Sequence, residues 1–261
     1  MNQLRDFLAR FESELVNILG SPFCTLALSA LGKDFISHNG CSIHIGHKMF
    51  SQRIKGLLLL GLYEKAEVSF IKKYLRADLD VVELGSGLGV TTSHIAKRLN
   101  HRRRMIVVEA DPRLIPQIRR NVVRNAPSVN LILINKAVCY STEMEDEVVF
   151  GAASYFLESR VLSDSKLVSD AVLVPKISLS EILSSHDVDE YALVCDIEGA
   201  EIGLLLEDQS ALATCQQLVI EIHESTHNGR HYQVSEIFDF LVSELGFSLC
   251  DRRNKVMVFT K

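Results

Sequence analysis

The chain has 261 residues, of which 47% are hydrophobic and 23% are charged, so it can bury a sizeable core and does not have the composition of a disordered protein. Its formal net charge of −5 lacks the basic surplus typical of nucleic-acid-binding proteins. The longest apolar run, Leu57–Leu62, is far too short to span a membrane. We therefore expect a globular protein with neither a nucleic-acid partner nor a membrane span.

The cysteines and the first residues point to a reducing compartment. The chain has six cysteines and no Cys-x-x-Cys pair, and Cys139, Cys195 and Cys250 fall in strand-like runs where a buried thiol behaves as a small apolar group. The N-terminus lacks the basic and then apolar layout of a signal peptide. These features predict a cytoplasmic protein.

Residues 1–60 predict an extension rather than an independent domain, because so short a segment cannot bury its own apolar faces. Apolar residues recur at helical spacing from Leu4 to Leu19. The run Phe35–Ile45 predicts a β-hairpin, because Asn39-Gly40 can adopt the positive φ angles of a tight turn. Residues 61–261 are expected to form the main domain.

Predicted helices and strands alternate in this main domain. The predicted strands are Leu79–Leu84, Met105–Glu109, Leu131–Ile134, Tyr191–Cys195 and Leu218–Ile222, followed by a closing hairpin of Phe247–Cys250 and Val256–Phe259. The predicted helices are Glu64–Leu75, Thr91–Leu99, one opened by Pro112, one capped by Ser178 and Glu181, Ile202–Leu212 and Val234–Leu245. Residues 139–172 are polar and irregular apart from a strand-like Val148–Phe150. This alternation predicts an α/β fold with a doubly wound, mainly parallel sheet of seven strands.

A glycine-rich turn joins the first of these strands to a helix. Glycines allow a sharp turn and close approach of a ligand, and the helix N-terminus offers free N–H groups. The turn lacks the dinucleotide spacing Gly-x-Gly-x-x-Gly, because Val90 stands three residues after Gly87. We predict cofactor contacts from Glu83, Gly85, Ser86, Gly87 and Gly89.

An acidic residue ends the next strand. Glu109 lies 24 positions after Gly85, where a carboxylate can accept hydrogen bonds from both ribose hydroxyls of an adenosine cofactor, with Ala110 beside it. Glu83 also suits a cofactor that carries an ammonium group, whereas a dinucleotide pyrophosphate is anionic. The pattern favours S-adenosylmethionine.

Five segments carry a family resemblance: Gly61–Glu64, Glu83–Gly89, Val108–Pro112, Val174–Leu179 and Asp196–Glu201. In these segments the sequence resembles the FkbM family of S-adenosylmethionine-dependent methyltransferases. The resemblance implies a Rossmann-like class I methyltransferase fold and O-methylation of a hydroxyl on a sugar or small secondary metabolite. The first loop departs from the family's frequent Asp-x-Gly-Ala-Asn-x-Gly, and Val194 stands where the family often has lysine, so no role of that lysine carries over.

Ligands of such sheets collect at the carboxyl ends of the strands, where methyl transfer to a hydroxyl needs a base or a metal. Asp196 ends the fourth strand and His223 follows the fifth, so we predict catalytic roles for Asp196, His223 and Glu198, with Asp196 also near the cofactor. A neutral imidazole accepts protons near pH 7, which makes His223 a candidate base. Helix capping by Asp196 and a favourable helix dipole at Glu198 and Glu201 are the structural alternatives. Glu64 either lines the cofactor pocket or is exposed.

The run His223–His227 matches the zinc-protease pattern His-Glu-x-x-His, which requires a helix. Here it follows a strand and meets the turn signal Asn228-Gly229, so we expect neither a metal site nor protease activity, with His227 and His231 in a solvated loop. A weak divalent ion at Asp196 during catalysis stays open.

Two other functions remain as alternatives: a nicotinamide-dependent oxidoreductase on a similar sheet, and a non-catalytic binding module that kept the fold. The expected partner is a small-molecule or carbohydrate acceptor. Its identity is open, because the loops at 139–172 and 224–232 carry no readable code. A homo-oligomer is equally open.

Overall fold

The computed structural model describes residues 34–46, 50–140, 147–151, 160–161 and 171–261. The predicted helix over Leu4–Leu19 lies outside the described residues. The chain divides into two compact units, with the boundary between Lys65 and Ala66. Across the described ranges, no helix has both the length and the apolar content that crossing a membrane requires.

The secondary structure of these ranges follows the chain as numbered here. The strands are β1 Phe35–His38, β2 Cys41–His44, β3 Asp80–Leu84, β4 Arg104–Val108, β5 Asn130–Ile134, β6 Ala137–Val138, β7 Glu147–Gly151, β8 Arg160–Val161, β9 Ala171–Ile177, β10 Tyr191–Cys195, β11 Cys215–Glu221, β12 Ser225–His227, β13 Arg230–Tyr232, β14 Ser248–Arg253 and β15 Val256–Thr260. The helices are α1 Gln52–Leu59, α2 Lys65–Tyr74, α3 Val90–Arg98, α4 Ile115–Asn125, α5 Leu179–Ser185, α6 Glu201–Glu207, α7 Gln209–Ala213 and α8 Val234–Ser243.

The first unit contains the predicted hairpin. Strands β1 and β2 pair antiparallel, and the turn between them places Asn39 at φ 49° and Gly40 at φ 96°. Two consecutive positive φ angles match the right-handed twist of the flanking strands. The Asn39-Gly40 turn signal is therefore confirmed.

A seven-stranded sheet forms the centre of the second unit, in the order β14-β15-β11-β10-β3-β4-β5. Strand β15 runs antiparallel to β11 and β14, and the pairs from β11 to β5 are all parallel. Strands β3 and β10 are buried at every position, as expected for central strands covered by helices on both faces. The predicted doubly wound sheet is confirmed, and it aligns the carboxyl ends of β3, β4, β10 and β11 along one edge.

The predicted helix over Ile202–Leu212 is wrong as a single element, because it breaks at Asp208 into α6 and α7. Asp208 leaves the helical conformation, with φ −127° and ψ 38°. Its carboxylate accepts hydrogen bonds from the Tyr140 hydroxyl and the Ser180 N–H, each at 2.9 Å. These hydrogen bonds stabilise the non-helical conformation of Asp208. Their partners lie far away along the chain, so no local sequence pattern predicts the break.

The helix expected to open at Pro112 begins at Ile115 instead. Asp111 accepts a hydrogen bond from the Arg113 N–H at 2.9 Å, which makes a local turn that delays the helix. The capping box of Ser178 and Glu181 is confirmed at the start of α5.

Residues expected to be irregular form further strands. A second sheet has the order β6-β9-β7-β8, and β12 pairs with β13 as a hairpin whose turn holds Asn228 at φ 48° and Gly229 at φ 75°. The strand expected around Val148–Phe150 is confirmed as part of β7. The short strands β8, β12 and β13 and the longer β9 were not predicted.

The five cysteines in the described residues are free thiols. Cys195 is buried in β10, as expected, and Cys139 is half-buried. The expected burial of Cys250 is wrong, because β14 is the edge strand of the large sheet and leaves this side chain exposed.

Candidate active site

The glycine-rich turn packs directly against the end of β10. Gly85, Gly87 and Gly89 have φ angles of 79°, 52° and 75°, a left-handed region that glycine adopts without steric cost. A Cβ atom on Gly85 would lie 1.8 Å from the backbone oxygen of Asp196. Only glycine fits at this position, and its close packing brings the turn beside the first residue after β10.

One polar side chain in this turn is buried and unsatisfied among the described residues. The Ser86 hydroxyl is buried and makes no hydrogen bond within the described part of the chain. Buried polar groups normally have partners, so an unsatisfied hydroxyl at the start of α3 fits a site that receives a polar ligand.

Glu109 follows β4 with its carboxylate already oriented. Oε2 accepts a hydrogen bond from the Gly87 N–H and Oε1 accepts one from the Asp111 N–H, both at 2.8 Å. Burial raises the pKa of Glu109 to about 7, although these backbone bonds oppose the increase. The Ser86 backbone N–H also interacts with this carboxylate. Because a carboxylate has about four acceptor sites, the group can still accept a hydrogen bond from a ribose hydroxyl.

Asn135, just after β5, is a residue that the sequence analysis missed. Its amide donates hydrogen bonds to the carbonyl oxygens of Glu109 and Ala110, at 2.8 and 2.9 Å. It thereby fixes the turn that presents the Glu109 carboxylate. An asparagine directly after an apolar strand is the only signal that could have found it.

Asp196 lies at the junction of β3 and β10. Its N–H donates to the Leu84 carbonyl oxygen at 3.0 Å, and its Oδ1 atom is shielded from solvent with no hydrogen-bond partner in the described ranges. Burial, followed by the charges of Glu221 and Glu198, raises its pKa well above the usual range, and His223 opposes the shift. Helix α6 has Ala200 as its N-cap and no side-chain cap, so Asp196 does not cap it.

His223 lies among three glutamates. Its Nδ1 is 3.1 Å from Glu201 Oε1, and its Nε2 is 3.5 Å from Glu221 Oε1 and 3.6 Å from Glu198 Oε2. Burial lowers the pKa of His223, but the contacts with Glu201 and Glu221 outweigh it and raise the pKa to about 10. In this state the ring therefore holds its proton at neutral pH, unlike the neutral imidazole expected from the sequence.

Glu198 and Glu201, which follow β10 along the chain, have different environments. Glu201 is fully buried and accepts hydrogen bonds from the N–H groups of Ile197 and Gly199, at 3.1 and 2.9 Å. Glu198 has a φ of 50° and a side chain that is 37% exposed, and partial burial raises its pKa. Glu201 thus braces the turn, whereas Glu198 remains accessible.

Glu221, the last residue of β11, was also missed. Its contact with the imidazole of His223 lowers its pKa, and Glu67 of α2 hydrogen-bonds to it as well. Asp196, Glu221 and His223 each offer a ligand atom, and these atoms lie within 4.8 Å of one another. A single acidic residue inside the apolar run Leu218–Ile222 is the signal that the sequence offered.

Two candidate cofactor contacts stay predictions. Glu83 is 1% exposed within β3, where it pairs in register with Val107 and Val194. Glu64 belongs to the first unit and has a φ of 46°.

The zinc-protease pattern does not form a helix. His223 follows β11, and His227 ends β12 with its Nε2 3.0 Å from Glu207 Oε1. The expected solvated position of His227 is wrong, because its side chain is only 13% exposed, whereas His231 is exposed. The two histidines of the pattern thus lie in different environments.

Comparisons with known proteins identify the family of this chain. The model of the FkbM methyltransferase domain matches residues 85–249. Solved structures that match include precorrin-6y C5,15-methyltransferase from Geobacter metallireducens GS-15, at 14% identity over 84% of this chain and 92% of that chain with a TM-score of 0.40. Fibrillarin from Aeropyrum pernix with bound S-adenosyl-L-methionine matches at 14% identity over 76% of this chain and 74% of that chain, also with a TM-score of 0.40. A search of curated proteins gave no match. Because the family model spans more than half of the sequence, the chain belongs to the FkbM methyltransferase domain family and is an S-adenosylmethionine-dependent methyltransferase.

Proposed function

We propose that the acceptor atom is a hydroxyl oxygen of a small metabolite or a carbohydrate. The observation that carries this proposal is the carboxylate cluster beside the glycine-rich turn, with Asp196 packed on Gly85. A neutral alcohol is a poor nucleophile, so its proton must leave as the new bond forms. A group of carboxylates next to the cofactor turn suits this task.

The turn and its neighbours fit the cofactor that the family uses. Glu109 would hold the ribose hydroxyls, the N–H groups of the turn and the Ser86 hydroxyl would face polar atoms, and Glu83 would pair with the ammonium group. When bound, S-adenosylmethionine supplies an electrophilic methyl group.

Asp196 is the first candidate to accept the proton of the hydroxyl. An ordinary carboxylate is a weak base near pH 7, but burial and the neighbouring carboxylates raise the pKa of Asp196. His223 contributes the positive charge that limits this increase, and Glu201 holds the ring in place. Glu198, the accessible member, would contact the acceptor.

The acceptor atom can be identified directly. The protein is incubated with a donor carrying a deuterated methyl group and a panel of sugars and polyketide-like alcohols, each paired with its deoxy analogue. Fragmentation mass spectrometry then locates the label. Label on a hydroxyl oxygen, absent with the deoxy analogue, supports the proposal, and label on nitrogen, carbon or sulfur overturns it.

The role of Asp196 is tested on the acceptor found in this way. We expect Asp196→Asn to lower turnover by about 10²–10⁴-fold while leaving the affinity for S-adenosylhomocysteine within about threefold of the wild type. Glu207→Gln is the matched control, because this carboxylate pairs with His227 outside the cluster. Full turnover in Asp196→Asn would rule the assignment out.

A further inference from the structure

We propose that Asp196, Glu221 and His223 form a binding site for a divalent cation of the Mn²⁺ type. The three residues follow or end the neighbouring strands β10 and β11, and their ligand atoms lie within 4.8 Å of one another. Two carboxylates and one imidazole combine the oxygen donors that suit Mn²⁺ or Mg²⁺ with a nitrogen donor that suits transition ions.

The distances around His223 fit a shared ion better than direct hydrogen bonds. Its Nε2 lies 3.5 Å from Oε1 of Glu221, a second proposed ligand. A hydrogen bond between such atoms spans about 2.7–3.2 Å. Two ligands bound to one ion at about 2.1 Å each are separated by about 3.0–3.5 Å in octahedral or tetrahedral geometry. The spacing between His223 and Glu221 is close to the edge of such a coordination shell, and the ligand atom of Asp196 lies within 4.8 Å of both.

The imidazole is already oriented for binding. Its Nδ1 lies 3.1 Å from Glu201 Oε1, and Glu201 is in turn fixed by the N–H groups of Ile197 and Gly199. With Nδ1 engaged, Nε2 is the nitrogen that remains for an ion, and the extra proton that the ring holds in the ligand-free protein would leave to solvent as the ion binds. A carboxylate behind a ligating histidine is the usual way in which proteins orient such a ligand.

An independent observation comes from Asp196. Its Oδ1 is shielded from solvent and has no hydrogen-bond partner in the described ranges. Four acidic side chains, those of Asp196, Glu198, Glu201 and Glu221, lie around one histidine and within reach of the charge of Lys255, so acidic groups outnumber basic ones here. Buried charges are stabilised by pairing or by coordinating a metal, and a divalent cation would supply both the missing partner and the missing charge.

This site differs from the zinc site that the His-Glu-x-x-His pattern suggests, since His227 pairs with Glu207 instead. The binding of the ion does not depend on the nature of the acceptor. Only its catalytic use, polarising a bound hydroxyl next to the cofactor turn, rests on the proposed function.

The test uses the full chain, stripped with a chelator and free of cofactor and acceptor. Mn²⁺ is titrated in, and free Mn²⁺ is followed by electron paramagnetic resonance. We expect one ion per chain with a dissociation constant below about 1 mM. His223→Gln and Glu221→Gln should weaken binding at least about tenfold, and Glu201→Gln should do so by about 10–100-fold through the loss of ring orientation.

His227→Gln is the matched control, because it removes the other histidine of the same pattern and should leave Mn²⁺ affinity unchanged. Thermal unfolding without metal shows whether each variant folds, and Mn²⁺ should raise the melting temperature of the wild type but not of His223→Gln. If His223→Gln does not fold, Glu221→Gln provides the same comparison. Absence of Mn²⁺ binding in the wild type, or equal weakening by His227→Gln, overturns the site. Methylation of an atom other than oxygen with Mn²⁺ binding intact overturns only the proposed acceptor.

Discussion

The charge of Glu109 should make cofactor affinity depend on pH. Burial raises the pKa of this carboxyl to about 7 in the ligand-free protein, with Asp111 as the charged neighbour that adds to the increase. An ionised carboxylate binds each ribose hydroxyl more strongly than a neutral carboxyl by about 1 kcal/mol, so two hydroxyls contribute about 2 kcal/mol, or about thirtyfold in affinity. Ligand binding then lowers the pKa by about 1.5 units. We expect the affinity for S-adenosylhomocysteine to rise about thirtyfold in total between about pH 4.5 and about pH 8, with about eightfold of that rise between about pH 5.5 and about pH 7.

Calorimetric titration of S-adenosylhomocysteine across this pH range measures the effect. Glu109→Gln should bind more weakly and show no such rise, whereas Glu207→Gln should keep the wild-type profile. A wild-type affinity that does not change with pH, or an unchanged rise in Glu109→Gln, would refute the reasoning.

The raised pKa of Glu109 also makes the stability of the ligand-free fold depend on pH. This stability falls as the pH rises, whereas the cofactor affinity increases. The folded protein binds the proton of the Glu109 carboxyl more tightly than the unfolded chain does. The contribution of this protonated carboxyl to stability is therefore complete below about pH 4.5 and is lost as the pH rises to about 7. The loss is at most about 3 kcal/mol and should be absent in Glu109→Gln, as measured by urea unfolding at several pH values.

Three further substitutions test the frame of the site. Gly85→Ala would place a Cβ atom 1.8 Å from the Asp196 oxygen and should destabilise the fold by about 3 kcal/mol or more in urea unfolding; an unchanged midpoint would contradict the packing. Asn135→Ala removes two hydrogen bonds and should cost about 2 kcal/mol while weakening S-adenosylhomocysteine binding in calorimetry. Asp80→Ala leaves Arg104 without its carboxylate partner at 2.6 Å and should cost about 3 kcal/mol in the same unfolding assay, and Asp80→Asn should cost less.

The cofactor contacts predicted around the glycine-rich turn and Glu109 lie in two short segments of the chain. The turn after β3 and the acidic end of β4 are local patterns, in which each residue type has one physical reason to be there. The family match over residues 85–249 shows an S-adenosylmethionine-dependent methyltransferase and supports neither the nicotinamide-dependent oxidoreductase nor the non-catalytic module.

The residues that were missed depend on which strands are neighbours in space. Asn135 reaches Glu109 because β5 lies beside β4, and Glu221 reaches Asp196 because β11 lies beside β10. The protonation of His223 likewise depends on carboxylates that the chain brings from separate turns. These contacts follow from the order of the strands in the sheet, and spacing along the sequence does not predict them.

The position of β15 also sets the order in which the chain can fold. This strand comes last along the sequence but lies inside the sheet, between β11 and β14, where Met257 and Phe259 are fully buried. During synthesis, β11 therefore presents an unpaired apolar edge until residues 256–260 have left the ribosome. An open edge of this kind is a template for pairing with other chains. Nascent chains stalled before residue 256 should therefore be the species most prone to aggregate.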